Sequence, residues 1–234
     1  MSVTERLFRP LLAQPARPLI THYDDALGSR VELSVASVAN WAAKTANWLR
    51  DEWDVTPGAP VSVTLPPHWQ TMGVLLGAWW CGARVTDEPK GAEVAFVPPG
   101  VEAAGAGTVA VVALDPMGRG LTGTPAGGAV DYLNEIRMYG DSFDPWALVP
   151  GDTPALLEST VDELVAAAQD RATTLGIGAG SRVLSTLDWS FPDGVLSGVL
   201  AVLAAGASLV QSGHTDPTKL ADRRTTERTT VDLG

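Results

Sequence analysis

Two stretches of this chain repeat the same order of short apolar segments, and this duplication limits the folds that the sequence can adopt. The first, TLPPHWQTMGVLLGAWWCGARV, covers residues 64–85, and the second, TLDWSFPDGVLSGVLAVLAAGASLV, covers residues 186–210. Each predicts the end of a strand, a corner, a strongly apolar helix, a Gly-Ala pair and another strand. Near-continuous apolar runs are typical of parallel strands covered on both faces. We therefore expect an α/β protein that contains two β-α-β units.

The two copies agree at individual positions, beyond the general likeness that any two β-α-β units show. A glycine precedes the first strand, a Val-x-x-Thr-Leu pattern marks the strand, and a Gly-Ala pair ends the helix. The corresponding residues are Gly58 and Gly180, Val61 and Val183, Thr64 and Thr186, Leu65 and Leu187, Gly82 and Gly206, and Ala83 and Ala207. We interpret the second unit as a pseudo-repeat of the first.

Local signals predict further elements around these units. LITHYDD and RVEL, within residues 19–33, predict a β-hairpin that turns at ALGS. Ser34 is placed to cap the amphipathic helix that follows the hairpin. Thr160 and Glu163 form a T-x-x-E capping box, in which each side chain satisfies a free backbone N–H of a helix's first turn. An amphipathic helix therefore precedes each copy of the repeated unit.

These elements predict two similar parallel-sheet lobes, each flanked by helices. The first lobe is expected to cover residues 1–130 and to include the N-terminal hairpin. The second is expected to cover residues 131–234. At the end of the first lobe, the Gly- and Pro-rich residues 115–130 predict a surface loop.

Composition excludes several classes of protein. The formal net charge of −11 argues against a nucleic-acid partner, because phosphate binding needs clustered Lys and Arg. Cys81 is the only cysteine, so no intrachain disulfide can form, and its apolar surroundings predict a small buried hydrophobe.

The N-terminus does not resemble a signal peptide, and the apolar run at residues 194–210 is short for a membrane span. We expect a cytoplasmic protein with no membrane partner.

The repeated unit resembles a known family. VTPGAPVSVTLPPHWQTMGVLLGAWWCGARV and LGIGAGSRVLSTLDWSFPDGVLSGVLAVLAAGASLV are similar to the two lobes of the N-terminal domain of adenylate-forming enzymes. This AMP-binding superfamily includes acyl-CoA synthetases, adenylation domains and luciferases. Its strands follow a G-D-R-V pattern, and its helices end in Gly-Ala. The resemblance covers most of this chain and about the first half of a full-length enzyme, so it implies a truncated form of that fold.

The chain departs from the family where ATP phosphates are held. There the family has a loop rich in Ser, Thr and Gly that ends in Pro-Lys-Gly, whose backbone N–H groups and hydroxyls bind phosphate. The matching place reads ALVPGDTPALLESTVDELVAAA, in which only Glu158 separates the parts that fit the flanking strand and helix. No glycine lies between Gly151 and Gly176, and no lysine lies between Lys90 and Lys219. The resemblance therefore implies that this loop has been deleted.

Other family positions also differ. Phe191 falls where relatives often carry the His of a Phe-His pair, and Pro67 and His68 replace the usual Asn region. The family's later motifs, including its ribose-binding Asp and catalytic Lys, would fall beyond Gly234. We therefore carry over no catalytic residue and predict neither a metal nor a cofactor.

The corners that follow the two repeated strands are the candidate ligand cleft. In open α/β sheets, ligands bind beyond the carboxyl ends of the strands. The residues at these corners are His68, Trp69, Asp188, Trp189, Phe191 and Asp193. The alternative is that the aromatic members of this group only fill the interface between the lobes.

Other motifs have simpler explanations. His22, His68 and His214 show no metal-ligand spacing. The glycines of LGIGAGS, at residues 175–181, follow a helix and precede a strand, which favours a helix C-cap over a nucleotide loop. GRGLTG, at residues 118–123, predicts a solvated loop.

We conclude from the sequence that the protein is a catalytically inactive homologue of acyl-CoA synthetases that acts as a binding or protein-interaction module. A homodimer or another protein is the expected partner, and any of the eight tryptophans that is exposed would mark that surface. The alternative is an ATP- and Mg-dependent acid–thiol ligase, or a subunit of one. Such a ligase would bind an acyl group, CoA or a nucleotide between the lobes.

Overall fold

The computed structural model describes residues 1–234, which form two mainly parallel β-sheets with helices packed around them. The strands are β1 (Pro18–Asp24), β2 (Ser29–Ser34), β3 (Pro60–Val63), β4 (Arg84–Thr86), β5 (Val94–Val97), β6 (Thr108–Val111), β7 (Val130–Asp131), β8 (Pro154–Leu156), β9 (Ser159–Thr160), β10 (Arg182–Ser185), β11 (Ser208–Gly213) and β12 (Val231–Leu233). The helices are α1 (Val35–Trp53), α2 (Trp69–Trp80), α3 (Tyr132–Ile136), α4 (Val161–Thr174), α5 (193–204, with a π-helical turn at Leu196–Leu200) and α6 (Leu220–Glu227). Short helical turns lie at Thr4–Phe8, Arg9–Ala13 and Pro217–Lys219.

One sheet has five strands and the other has seven. The five-stranded sheet has the order β12-β10-β11-β1-β2, and only the β1–β2 hairpin is antiparallel within it. The seven-stranded sheet has the order β7-β6-β5-β3-β4-β8-β9, with one antiparallel pair, β8–β9. The predicted α/β class with two parallel sheets is confirmed.

The repeated sequence forms the same structure twice. In the seven-stranded sheet, β3 and β4 are adjacent parallel strands joined by α2. In the five-stranded sheet, β10 and β11 are adjacent parallel strands joined by α5. Each connecting helix ends in the predicted Gly-Ala pair. The pseudo-repeat is thus a pair of β-α-β units at the centre of the two sheets.

The glycines shared by the two units have a common physical cause. Gly82 and Gly206, at the helix ends, have φ of 87° and 66°, a left-handed conformation that suits a residue without Cβ. The following alanines close the same cap, since Ala83 N–H donates to the Ala78 carbonyl and Ala207 N–H to the Val202 carbonyl. Equivalent backbone geometry therefore explains the equivalent residues.

The predicted caps are also present. Ser34 Oγ accepts a hydrogen bond from Ser37 N at 3.2 Å at the start of α1. Thr160 and Glu163 form the complete capping box at the start of α4. At the end of α4, Gly176 has φ of 67°, so LGIGAGS begins with a helix C-cap as predicted.

Helices α1 and α2 approach closely enough to require a glycine. A Cβ on Gly77 would lie 2.4 Å from Thr45 Cβ and 2.8 Å from the Ala42 carbonyl oxygen. The buried Trp48 packs edge to face against Phe96 and Tyr132, which links α1 to strand β5 and helix α3. One continuous apolar core therefore extends from these helices to the seven-stranded sheet.

Each sheet includes strands from both halves of the sequence. The N-terminal hairpin, which the sequence division assigns to the first lobe, pairs through β1 with β11 in the five-stranded sheet. Conversely, β8 and β9, which follow residue 130, extend the seven-stranded sheet. The hairpin presents its β1 edge to an apolar strand that is distant in sequence, and no local pattern encodes that choice of partner.

None of the helices has the length and apolarity that crossing a membrane would require.

Candidate cleft between the sheets

A cleft of about 780 Å³ opens where the carboxyl ends of strands from the two sheets face each other. Strands β1 and β11 and the segment after β10 contribute from the five-stranded sheet, and the segments after β3 and β6 contribute from the seven-stranded sheet. This is the position at which open α/β sheets bind ligands. Its lining residues are His22, Asp24, Ala26, Leu27, Pro66, Pro67, His68, Ala113, Leu114, Thr186, Leu187, Asp188, Gln211, Ser212, Gly213, His214, Thr215, Pro217 and Leu220.

Two buried histidines meet at the inner part of the cleft. The rings of His22 and His68 are edge to face with centroids 4.4 Å apart, and the residues are 2 % and 4 % exposed. Burial lowers the pKa of His22 to about 4, against the opposing effect of Asp24. Burial and the neighbouring His22 lower the pKa of His68 to about 3. Both imidazoles are therefore neutral at pH 7.

The chain's local structure holds His68 in place. It is the N-cap of α2, and its Nδ1 accepts a hydrogen bond from Gln70 N at 3.1 Å. In turn, Gln70 Oε1 accepts from Leu114 N at 3.0 Å, which fixes the Leu114 backbone at a φ of 55° on the cleft wall. The corner after β3 and the loop after β6 are therefore joined by one hydrogen-bond network.

A glutamine from β11 points a polar group at the same region. Gln211 is fully buried, and its Nε2 donates to the carbonyls of Leu187 at 3.1 Å and Ser212 at 3.3 Å. These two acceptors fix the orientation of the amide. Its Oε1 has no hydrogen-bond partner within the protein, and neither does Nδ1 of His22.

The third histidine lies at the mouth of the cleft. His214 Nδ1 is 3.1 Å from Asp24 Oδ2, while Asp24 Oδ1 accepts from the backbone N–H groups of Ala26 and Leu27. His214 has a left-handed φ of 44° at the end of β11. All three histidines thus reach the cleft, although no group of three or more His, Cys, Asp or Glu side chains is arranged to hold a metal.

The structure brings only some of the sequence-predicted site residues to this cleft. His68 and Asp188 line it. Trp189 and Phe191 line an adjoining hollow of about 560 Å³, which shares Pro66, Pro67 and Asp188 with the cleft. Trp69 is buried against Trp41 on α1, and Asp193 forms an ion pair with Arg171 at 2.8 Å. The last two residues therefore point elsewhere.

Sequence reasoning missed His22, Gln211 and His214. The rule that selected His68 and Asp188 could have found them, because all three lie near the carboxyl ends of strands β1 and β11. What the sequence did not supply was the pairing of β1 with β11. That pairing sets His22 beside Gln211 in the register and brings both to the corner that contains His68.

The place where the family holds ATP phosphates is a tight turn. Leu157 and Glu158 alone connect the antiparallel strands β8 and β9, and Leu157 has a φ of 51°. Glu158 projects into solvent, with its carboxylate 3.4 Å from the Arg84 guanidinium. The segment that the resemblance matches to the phosphate loop is thus a two-residue hairpin turn in the structure.

Four backbone donors around this turn already have partners. Leu157 N donates to the Val85 carbonyl at 2.8 Å, and Thr160 N donates to Glu163 Oε2 at 2.9 Å. The next two N–H groups, of Val161 and Asp162, donate at 2.9 Å to the carbonyls of Thr153 and Gly151, which lie just before β8. With these donors engaged and a carboxylate at the tip, the residues present do not fit a triphosphate.

Several solved structures share this fold. An acyl-CoA synthetase from Brucella canis superposes with a TM-score of 0.80 at 17 % identity, over 99 % of this chain and 47 % of its own. A benzoate CoA ligase from Burkholderia xenovorans gives 0.77 at 17 % identity, over 100 % and 50 %. The N-terminal domain of FACL13 from Mycobacterium tuberculosis gives 0.69 at 17 % identity, over 99 % and 62 %. The chain therefore has the fold of the N-terminal domain of these enzymes and spans about half the length of the first two.

A nearer relative defines the family. A Mycobacterium tuberculosis protein described as "TIGR03089 family protein" is 44 % identical over 229 residues, which are 94 % of this chain and 93 % of the relative. The chain belongs to the TIGR03089 family. No protein-family model matches the sequence.

Proposed function

We propose that this protein uses the adenylate-forming fold to bind a small organic ligand and does not adenylate it. The observation that carries the proposal is the Leu157–Glu158 turn. Adenylation develops charge on a phosphoryl group, and donors, cations and a metal must stabilise that charge. Here the turn offers a carboxylate, and its neighbouring N–H groups are engaged within the fold.

The cleft supports the binding part of the proposal. Its volume lies within the range of small-molecule sites, and it combines apolar walls with a few polar groups. Leu114 and Leu187 supply apolar surface, while Gln211 and His22 carry polar atoms without partners in the protein. A buried polar atom without a partner is costly, and a bound ligand could satisfy it.

The alternative function is that of an ATP-dependent acid–thiol ligase or one of its subunits. The fold favours this alternative, because the matched structures are acyl- and aryl-CoA ligases. In that case a second polypeptide would supply the phosphate-binding groups, and the cleft would hold an acyl group, CoA or a nucleotide.

Carboxylate-dependent exchange of pyrophosphate into ATP distinguishes these functions. We expect the purified protein to show no exchange above background with a mixture of aliphatic and aromatic acids. An active acyl-CoA synthetase assayed in parallel serves as the positive control. Exchange by the purified protein alone would contradict the non-adenylating function.

We also propose that the exposed connector after α3 contacts a protein partner, with a second copy as the first candidate. Trp146 is 76 % exposed and stacks on the Arg50 guanidinium at 4.4 Å. Met138 and Leu148 are also exposed on this connector. Light scattering over a concentration series tests the dimer, and Trp146→Ser should lower the average mass if this surface forms it.

A further inference from the structure

The cleft is lined by carboxylates and by no lysine or arginine side chain. Its lining residues include the carboxylates of Asp24 and Asp188, and the adjoining hollow adds Asp87. Neither lining set contains a lysine or an arginine. Asp24 is bonded to His214 and to two backbone N–H groups. Asp87 and Asp188 are exposed and make no ion pair, so their charges are free to act on a ligand.

Two cations lie close to the cleft, and both bond to the same carboxylate, that of Asp25. Arg223 is 5 % exposed, donates to Asp25 at 2.8 Å and to Ser212 Oγ at 2.6 Å, and lies over the Tyr23 ring. Lys219 Nζ is 3.3 Å from the same Asp25. Arg223 is buried and Lys219 is exposed, and the carboxylates of Asp25 and Asp216 beside them balance these two positive charges, so the rim of the cleft stays negative.

Buried polar atoms of two residues that line the cleft add a second, independent observation. Gln211 is fully buried, and the two carbonyls that hold its Nε2 leave Oε1 as an acceptor without a donor. His22 is 2 % exposed, and its Nδ1 also has no partner. The Gln211 amide oxygen and the free carboxylates are all acceptors, so the groups that complement this lining are N–H or O–H donors.

The imidazoles of His22 and His68 add no positive charge to the cleft at neutral pH. Burial keeps His22 and His68 in their neutral forms, so they provide polar edges without positive charge. A ligand carboxylate would meet Asp188 and Asp87 with no cation to offset the repulsion. The complementary ligand is therefore a cation.

We propose that the cleft binds an organic amine in its ammonium form, carried on a small apolar skeleton, and rejects the corresponding carboxylate. The skeleton would lie against Leu114, Leu187 and the prolines of the β3 corner, and the ammonium group would lie toward Asp188. This inference rests on the proposed binding function and names the chemical class of its ligand. It also means that the site has the opposite charge preference to one that binds a carboxylic acid.

A matched panel tests the inference. Small alkyl and phenylalkyl skeletons are each presented as the primary amine, the alcohol and the carboxylate at pH 7.5. Binding is measured by ligand-observed NMR and then by calorimetry, and amide shifts in the protein confirm that each ligand occupies the cleft. For a given skeleton, we expect the amine to bind about three- to tenfold more tightly than the alcohol and the carboxylate to be the weakest.

Two variants identify the source of the preference. Asp188→Asn should weaken amine binding about three- to tenfold and leave alcohol binding unchanged, since only the ammonium group interacts with the charge. Asp170→Asn makes the same charge change at an exposed position on α4 and should alter neither. Added salt should weaken the binding of the amine more than that of the alcohol.

The outcomes separate the two proposals. Carboxylates that bind more tightly than their amines would overturn the inference and leave ligand binding in the cleft standing. Equal binding of amine and alcohol, or no effect of Asp188→Asn, would also overturn it. Failure of every skeleton in all three forms would overturn both the inference and the proposed binding function.

Discussion

The His22 ring meets the His68 ring edge to face, with centroids 4.4 Å apart, and this contact joins the two sheets at the inner end of the cleft. His22 lies on β1 of the five-stranded sheet, and His68 begins α2 directly after the corner that follows β3. Both are buried, and both are neutral at pH 7 for the reason that burial disfavours the charged ring. The stability of the interface should therefore depend on pH.

We expect the free energy of unfolding to fall as the pH is lowered from about 6.5 toward 4. The pKa of His22 falls from 6.5 to about 4 on folding, and that of His68 to about 3, so in this range the unfolded chain binds protons that the folded chain cannot. In this range each buried histidine lowers the free energy of unfolding by roughly 1.4 kcal/mol for each pH unit of acidification, and above pH 6.5 it has no such effect. Urea denaturation at a series of pH values measures the slope.

His68→Asn isolates this effect. Asparagine keeps an N-cap acceptor for Gln70 N and removes the titrating ring. Between pH 8 and pH 5, the free energy of unfolding should fall less in the variant than in the wild type. Parallel pH profiles for the two proteins would show that His68 is not buried in its neutral form. Asp24 and Asp115, which face these rings and raise their pKa, are present in both proteins.

The contact between α1 and α2 predicts different outcomes for two glycines on one helix. A Cβ at Gly77 would clash with Thr45 and with the Ala42 carbonyl oxygen, whereas one at Gly73 would meet only Trp41 Cβ, at 3.2 Å. We expect Gly77→Ala to destabilise the protein by about 2 kcal/mol in urea denaturation despite the higher helix propensity of alanine. Gly73→Ala should change stability by less than about 1 kcal/mol. A Gly77→Ala variant as stable as the wild type would mean that the helices are farther apart.

A buried carboxylate ties α6 to the hairpin. Glu227 is 6 % exposed and accepts hydrogen bonds from Tyr23, Arg182 and Arg30, the last at 2.8 Å from Arg30 Nε. Glu227→Gln should lower the free energy of unfolding by about 2 kcal/mol, since it removes the buried one of the two carboxylates that pair with Arg30 and Arg182 and leaves only Glu32. Thermal unfolding would measure it, with the exposed Asp222→Asn on the same helix as the control.

The same carboxylate has a distinct pH signature. Although burial alone would raise its pKa, the hydrogen bonds from Arg30, Tyr23 and Arg182 lower the pKa of Glu227 to about 2. Its contribution to stability is therefore present above the unfolded pKa of about 4.5 and is lost as the pH falls toward 2. Below pH 4.5, the free energy of unfolding should fall less steeply with pH in Glu227→Gln than in the wild type. The same pH dependence in both proteins would contradict the lowered pKa of Glu227.

Most elements could be predicted from the sequence because their signals are local. The Gly-Ala pairs, the Ser34 cap and the capping box at Thr160 depend on backbone geometry within a few residues, and the structure contains each of them. The helical turns at Thr4–Phe8 and Arg9–Ala13 were not predicted. They are held partly by a distant contact, since Thr4 Oγ1 donates to the Leu76 carbonyl at 2.6 Å.

The candidate site was harder to predict because it depends on which strands pair. His68 and Asp188 were identified from the strand ends that precede them. Gln211 lies on β11, and the position of this strand in the sheet is set by its pairing with β1. His22 lies on the N-terminal hairpin, which joins the sheet formed by the C-terminal strands. Trp69 was selected by the same rule as His68, but the first turn of α2 directs it toward Trp41 instead.

The most direct test of the account is the response of the backbone amides to Mg·ATP in a ¹⁵N-resolved NMR titration. We predict that the amides of residues 157–162 do not shift, because those of Leu157, Thr160 and the next two residues are bonded within the fold and Glu158 repels phosphate. Saturable shifts centred on Leu157 to Thr160 would show that the turn binds a triphosphate, and would contradict the claim that this fold has lost its phosphate site.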